Sequence, residues 1–234
     1  MIQKFERQEI KYLISIKDYN ILKKEINKYM IKDHYHKSII KNIYYDTHNF
    51  LLIRRSIEKP VYKEKLRIRC YGINDINDEV FLELKKKYKG VVYKRRINLS
   101  YKDAIDFLNH KKINNNSQVL REINYFINFH KDICPKVMLT YERESFKSVD
   151  DNIRITFDYN IIYRDYDLDL LKPIYGDKIL DDNLLVMEVK TNLGYPMWLS
   201  NILSKLKIYK TSFSKYGNAY KRLIMKFNER EMIC

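Results

Sequence analysis

Glycine and proline are scarce in this chain, with five and four residues among 234. No GxxxxGK[ST] or GxGxxG segment occurs, so bound phosphate would have to be held by side chains rather than by a glycine-rich backbone cradle. Cysteine is equally sparse. Cys70, Cys134 and Cys234 form an odd, scattered set without CxxC or Cys/His spacing, so neither a disulfide framework nor a zinc site is indicated, and a reducing cytoplasm fits best. No run of eighteen apolar residues exists, and the opening MIQKFERQEIKY has no apolar signal segment. The expectation is a cytoplasmic chain without a transmembrane segment of its own. Any membrane role would fall to a membrane-protein partner.

What is plentiful is apolar and cationic. Hydrophobic residues make up 45% and aromatics 14%, enough for a sizeable core. Forty-five Lys and Arg against thirty Asp and Glu leave a formal charge of +15, which predicts a polyanionic partner: nucleic acid, phosphate chains or an anionic membrane.

Short stretches rich in β-branched and aromatic residues at 5–14, 39–45, 61–71, 79–88, 91–99, 136–146, 152–159 and 184–190 predict about eight strands. Helical periodicity marks 17–31, 100–109, 117–129, 195–207 and 214–227, with Ser100 and Ser214 as candidate N-caps. Helices separate groups of strands rather than every strand, and Lys89-Gly90 is a tight hairpin signal, so the strands are expected to be antiparallel. Asn114 to Asn116 and the acidic 165–182 stretch look like surface loops. The predicted class is α+β, one domain over residues 1–234, and eight antiparallel strands closed on themselves would make a barrel able to hold an elongated ligand.

The chemistry-bearing residues lie in these strands. Side chains two apart share a strand face, so Lys63, Lys65, Arg67 and Arg69 stand in one row, with Leu66 and Ile68 on the other side. Glu9 with Lys11, Glu83 with Lys85, and Glu188 with Lys190 each put a carboxylate and an ammonium on one face. Lys94 with Arg96, and Arg154 with Thr156 and Asp158, add further charged sets. A solvated one-sided sheet with cross-strand ion pairs would have the same pattern. A phosphate chain offers another reason for it: it needs cations along its length, Arg as a bidentate fork and Lys as compact charge. Glutamates among them would then hold a hard divalent ion bridging the phosphates. Tyr141 and Arg143 share a face, an aromatic ring and a cation placed for substrate contact. The many other tyrosines, Tyr44 and Tyr45 among them, read as core or rim, and His34-x-His36 is assigned no role.

FERQEIKYLI, YYDT, KEKLRIRCYG, VFLELKKKYKGVVYKRRI, LTYERESF, IRITFDYNI, VMEVKTN and SKYGNAY follow one another over about residues 4 to 220. In that order they resemble the VTC-type polyphosphate polymerase domains of the CYTH, or triphosphate tunnel metalloenzyme, superfamily. The resemblance implies an eight-stranded antiparallel closed tunnel barrel with flanking helices. The implied activity transfers the γ-phosphate of ATP to inorganic polyphosphate with Mn2+ or Mg2+. It also implies that Lys11, Arg67, Arg69, Lys85, Lys94, Arg96, Arg154, Lys190 and Lys215 contact phosphates, joined by Lys65 from the same row, and that Glu188 is the metal-binding glutamate. Arg67, Arg69, Lys85, Arg154 and Lys190 are the candidate catalytic cations. One departure stands out: the superfamily's broader signature is Glu-x-Glu-x-Lys, whereas this chain has Arg7-Gln8-Glu9-Ile10-Lys11. Losing a first-strand carboxylate favours a polymerase over a triphosphatase or polyphosphatase of the same fold, which stays as the alternative. Cations interleaved with glutamate on strand faces argue against a nucleic-acid-binding module.

Overall fold

The computed structural model describes residues 8–231. Arg7, the first residues of the expected 5–14 strand and Cys234 lie outside the described residues. The class is α+β. The elements in chain order are β1 (Gln8–Ser15), α1 (Ile16–Tyr29), β2 (Ile31–Asp46), α2 (Leu51–Ile57), β3 (Tyr62–Cys70), β4 (Glu79–Tyr88), β5 (Val91–Ser100), α3 (Tyr101–Leu108), α4 (Gln118–His130), β6 (Cys134–Lys147), β7 (Ile153–Arg164), β8 (Asp177–Lys178), β9 (Leu184–Thr191), α5 (Met197–Lys205), β10 (Lys210–Thr211) and α6 (Lys215–Glu231).

All eight expected strands are present, and β8 and β10 bring the described total to ten. Each of the two additions has only two residues, too few for any alternation to show. The expected closed barrel is corrected. The hydrogen-bonded order is β10-β1-β9-β7-β6-β2-β3-β4-β5, and among the described residues β5 pairs only with β4 and β10 only with β1, so the sheet is open. A physical reason lies in β5 itself: Lys94, Arg95 and Arg96 load this edge strand with charge, which discourages further pairing. Lys89 and Gly90, with φ of 45° and 88°, form the left-handed pair of a tight hairpin, and the β4–β5 register runs without a break from Tyr88↔Val91 to Glu79↔Ser100.

The chain divides into two compact units, one holding residues up to 39 with 141–161 and 180–214, the other holding 40–140, 162–179 and residues from 215 onward. In the first, Leu22 and Ile26 of α1 and Leu199 and Leu203 of α5 join a core with Ile14, Ile155, Phe157, Met187 and Val189. The Ser15 hydroxyl caps α1 by accepting from the Asp18 N–H at 3.1 Å. In the second unit, Ala104 of α3 and Ile123 and Phe126 of α4 join a core with Ile43, Leu66, Ile68, Leu82 and Leu84. Ser100 caps α3 as the sequence predicts, accepting from the Asp103 N–H at 3.0 Å.

The 165–182 stretch is only partly a surface loop. Leu170 is fully buried, Arg164 donates to the carbonyls of Asp167, Pro173 and Tyr175, and Lys41 donates to those of Leu170 and Lys172. The segment is thus pinned by cations that satisfy its backbone oxygens. Among the described residues no helix is long and apolar enough to cross a membrane.

Candidate functional site

In the second unit the pairing register brings charged side chains of neighbouring strands together. Arg67 of β3 stands opposite Tyr44 of β2 and Glu83 of β4, and Glu83 stands opposite Arg96 of β5. Two residues further along, Lys65, Lys85 and Lys94 are in register across β3, β4 and β5, while on the other side Arg69 faces Asn42. Residues in register share a sheet face. The opposite face carries Leu66, Ile68, Leu82 and Leu84, all fully buried, so the apolar alternation decides which way the cations point.

Glu83 is the hub of this face. One of its oxygens accepts from Arg67 Nε at 2.7 Å and Nη2 at 2.6 Å; the other lies 2.6 Å from Lys94 Nζ and 3.5 Å from Arg96 Nε. The Lys94 contact is an ion pair rather than an aligned hydrogen bond. Burial alone would raise the Glu83 pKa, but the charges of Arg67, Arg69 and Lys94 overcome it and hold the carboxyl down to about 2. The guanidinium groups are fixed from several sides. Arg67 Nη1 donates to the Tyr44 hydroxyl at 2.9 Å, Arg69 Nε donates to Asn42 Oδ1 at 2.7 Å, and the Arg96 guanidinium lies 3.4 Å from the Phe81 ring centroid.

Lysines directly opposite one another on neighbouring strands repel. Burial, followed by the charges of Lys87, Lys85 and Lys59, lowers the Lys63 pKa. Burial is also the largest cause of the lowered Lys94 pKa, with Arg67 and Arg96 adding to it against the pull of Glu83. This face therefore gathers more positive charge around Glu83 than that buried carboxylate balances, which is the electrostatic signature of an anion site.

The first unit carries a second polar face. Lys11 of β1 stands opposite Glu188 of β9, which stands opposite Thr156 of β7; one step along, Glu9, Lys190 and Arg154 are likewise in register. Ile10, Val189 and Ile155 form the apolar reverse. Lys11 Nζ lies 3.4 Å from Glu9 and 3.7 Å from Glu188 and donates to the Phe213 carbonyl at 3.2 Å. Lys190 is ion-paired with Glu188. Arg154 reaches Asp33 at 3.1 Å, and Asp33 also accepts from Ser145 Oγ at 3.0 Å. Arg143 is gripped by Asp158 and lies 5.4 Å from the Tyr141 ring centroid. Burial works against the Arg143 charge, and the Asp158 carboxylate more than offsets it, raising the pKa well above the ordinary value.

The register thus groups Lys65, Arg67, Arg69, Lys85, Lys94 and Arg96 in one unit, and Lys11, Arg154, Lys190 and Glu188 in the other, with Arg143 and Tyr141 also in that second group's unit. Lys215 is the first residue of α6, in the same unit as Arg67. His36, assigned no role from sequence, lies 3.1 Å from the buried Glu144 and 2.9 Å from the Ser145 carbonyl. Sequence reasoning missed Asn42, Asp33 and the polar role of Tyr44. Tyr44 and Asn42 alternate on β2 with the apolar Ile43, a signal that would have placed both on the cation face.

Among the described residues no cluster of three or more His, Cys, Asp or Glu side chains is arranged to hold a metal. A divalent ion that keeps most of its shell as phosphate oxygens and water needs only one or two protein ligands. Glu188 fits that limited requirement, and across from it Thr156 Oγ1 is buried with no hydrogen-bond partner among the described residues. An orphaned oxygen beside a carboxylate suits a hard cation.

The sequence model of the VTC domain matches residues 6–224. No curated protein matches significantly. Among solved structures, a Bacillus halodurans protein provisionally assigned as an adenylate cyclase is similar at 14% identity with a TM-score of 0.54, covering 89% of this chain and 95% of its own. The PH1819 protein of Pyrococcus horikoshii is similar at 14% identity and a TM-score of 0.47, covering 92% of this chain and 99% of its own.

Proposed function

This chain belongs to the VTC-domain family, and from that premise we propose that it is a polyphosphate polymerase that transfers the γ-phosphoryl group of ATP to the end of an inorganic polyphosphate chain. The observation that carries the reading is the register of Lys65, Lys85 and Lys94 beside Arg67 and Arg96. That cation crowd has one buried glutamate at its centre and calls for a polyanion.

In the proposed reaction a terminal phosphate oxygen of the acceptor chain attacks the γ-phosphorus. The new P–O bond forms as the bond to the β,γ-bridging oxygen breaks, and ADP leaves with that oxygen's negative charge. Little covalent work falls to the protein; positioning and neutralising the equatorial oxygens is the catalytic task. Arg67 and Arg69, held by Glu83, Tyr44 and Asn42, present fixed guanidinium forks. Lys85, Lys94 and Lys65 supply compact charge to chain oxygens. Arg154, Lys190 and Lys11 serve the same role in the first unit, Lys215 adds a further cation, and Arg143 with Tyr141 contacts the nucleotide. Glu188, with Thr156 beside it, would hold Mn2+ or Mg2+, whose chemical contribution would be to neutralise phosphate charge.

Hydrolysis with water as acceptor is the second reading. The carboxylates favour transfer: Asp158 is bound by Arg143, Glu83 by Arg67 and Lys94, and Glu188 contacts Lys11 and Lys190. Each is committed to a cation and poorly suited to taking a proton from water, whereas a phosphate end is already an anionic nucleophile. Incubating the purified chain with ATP and Mn2+ and resolving products by length tests the proposal. Lengthening chains with stoichiometric ADP are expected; free phosphate without chain growth would show a hydrolase.

A further inference from the structure

Tyr44 is a buried phenol in the middle of the second unit's cation face. Its ring stacks on Tyr216 of α6 with centroids 4.6 Å apart and an interplanar angle of 19°. Tyr216 donates its hydroxyl to Asp46 Oδ2 at 2.9 Å. Asp46 also accepts from the backbone N–H groups of Leu52 and Ile53 at 2.8 and 3.0 Å, at the start of α2. The Tyr44 ring is therefore fixed by a chain of contacts that ends on a helix.

The Tyr44 oxygen accepts from Arg67 Nη1 at 2.9 Å. Among the described residues no acceptor is found for the hydroxyl's own proton. The charged groups acting on it are Arg67, Arg69 and Lys65 of β3, all cations; the nearby carboxylate Asp46 is taken by Tyr216, and Glu83 by Arg67 and Lys94. A buried O–H that has already given a lone pair to a guanidinium, among cations, has chemical use for one more partner: an anion.

We propose that Tyr44 is a proton-bearing positioning residue of the anion site: it fixes the Arg67 guanidinium, and only its protonated form supports binding of a phosphate chain. The inference rests on the reading that phosphate binds the second unit's cations. Burial raises the Tyr44 pKa, but the charges of Arg67, Arg69 and Lys65 outweigh it and bring the phenol down to about 8. Below that pH the phenol is neutral and the cation row keeps its full charge. Above it a phenolate cancels one cation and repels phosphate. A bound phosphate chain favours the neutral phenol, so in alkaline solution the chain binds with uptake of a proton. Lys63 and Lys94, with lowered pKa values, also lose charge as pH rises, so the Tyr44 contribution has to be isolated by substitution.

The test is calorimetric titration of the intact chain with inorganic tripolyphosphate at pH 7 and pH 9, in two buffers of different ionisation enthalpy. Tyr44→Phe keeps the stack and removes the proton. At pH 7 it should bind about two- to tenfold more weakly, the loss of one hydrogen bond to the guanidinium. Between pH 7 and 9 the unsubstituted chain should lose about tenfold more affinity than Tyr44→Phe, with a proton uptake that the variant lacks. Tyr216→Phe breaks the Asp46 bond in the same stack; it should lower the melting temperature but keep the alkaline fall and the proton uptake. Equal pH dependence and uptake in the unsubstituted chain and Tyr44→Phe would overturn the proposal, as would their loss in Tyr216→Phe, which would assign them to packing. A chain that binds no tripolyphosphate at any pH would instead overturn the phosphate-binding reading beneath it.

Discussion

Arg143 and Asp158 form a two-point clamp, with Nε on one carboxylate oxygen at 2.6 Å and Nη2 on the other at 2.8 Å, and the Asp158 side chain is fully buried. Two parallel charge-assisted bonds fix the guanidinium plane as well as its position. Arg143 is thereby held rigid beside Tyr141, which is what a nucleotide contact would require and also what a structural ion pair would look like.

Asp158→Asn separates stability from function here. It keeps the volume and leaves a largely buried guanidinium without its counter-charge, so stability should fall by about 3–5 kcal/mol. Urea unfolding followed by circular dichroism measures it. A loss below about 1 kcal/mol would mean that the clamp is solvent-screened and that Arg143 is free to serve a ligand.

Acid should act on the second unit through Glu83. Its carboxyl is held down to about 2 against an ordinary 4.5. A depressed carboxylate stabilises the fold fully above its unfolded pKa, and that stabilisation is lost as pH falls from 4.5 through 2. The shift corresponds to about 3 kcal/mol. Glu83→Gln should therefore be less stable than the unsubstituted chain at pH 7, and the gap should narrow as pH drops through this window. A constant gap across melting curves from pH 7 to pH 2.5 would show that the effect is not ionic.

Arg67→Ala removes a fork that holds Glu83 on one side and Tyr44 on the other. Tripolyphosphate affinity should drop about tenfold to a hundredfold, the loss of one or two charge-assisted hydrogen bonds, with the fold retained because Lys94 and Arg96 still balance Glu83. Arg67→Lys should recover only part of the affinity, since it restores charge but not the fork. Affinity within about twofold for the Ala variant would remove Arg67 from the site.

These residues were legible in unequal measure. Alternation in 61–71 and 79–88 placed Lys65, Arg67, Arg69 and Lys85 on one face because Leu66, Ile68, Leu82 and Leu84 claim the other. The hairpin at Lys89-Gly90 then fixed which β5 residues stand beside them. The first half of β2, Ile31 to Ser38, escaped because both its faces are polar, so no period shows. α2 escaped for another reason: its N-cap residue Phe50 has φ 59° and a side chain that cannot cap, and its first N–H groups are satisfied from upstream, Leu51 by Thr47 and Leu52 and Ile53 by Asp46. Arg143–Asp158 depends on how β6 lies against β7, which no local pattern specifies. Closure of the sheet is likewise a property of its ends, and strand counting cannot tell whether two edges meet.

Glu188 is the residue on which metal dependence can be judged. It is buried between Met187 and Val189, whose side chains point into the apolar core, so its carboxylate is forced onto the polar face beside Lys11 and Lys190. Two interpretations of that placement differ in what a neutral isostere does. If Glu188 only balances the two lysines, Glu188→Gln should lower the melting temperature and leave ATP turnover intact at saturating Mn2+. If it supplies a ligand to a phosphate-bridging cation, the variant loses the anionic oxygen while Thr156 and the lysines remain. The Mn2+ concentration for half-maximal turnover should then rise about tenfold or more, and the maximal rate should fall with it. The two lysines give a second readout: without their carboxylate they are freer to hold phosphate, so metal-free tripolyphosphate affinity should hold or rise while turnover falls. That opposition between binding and turnover is the expected result. Unchanged turnover with an unchanged Mn2+ requirement, alongside a lower melting temperature, would make Glu188 a structural counter-ion and remove the metal from this strand.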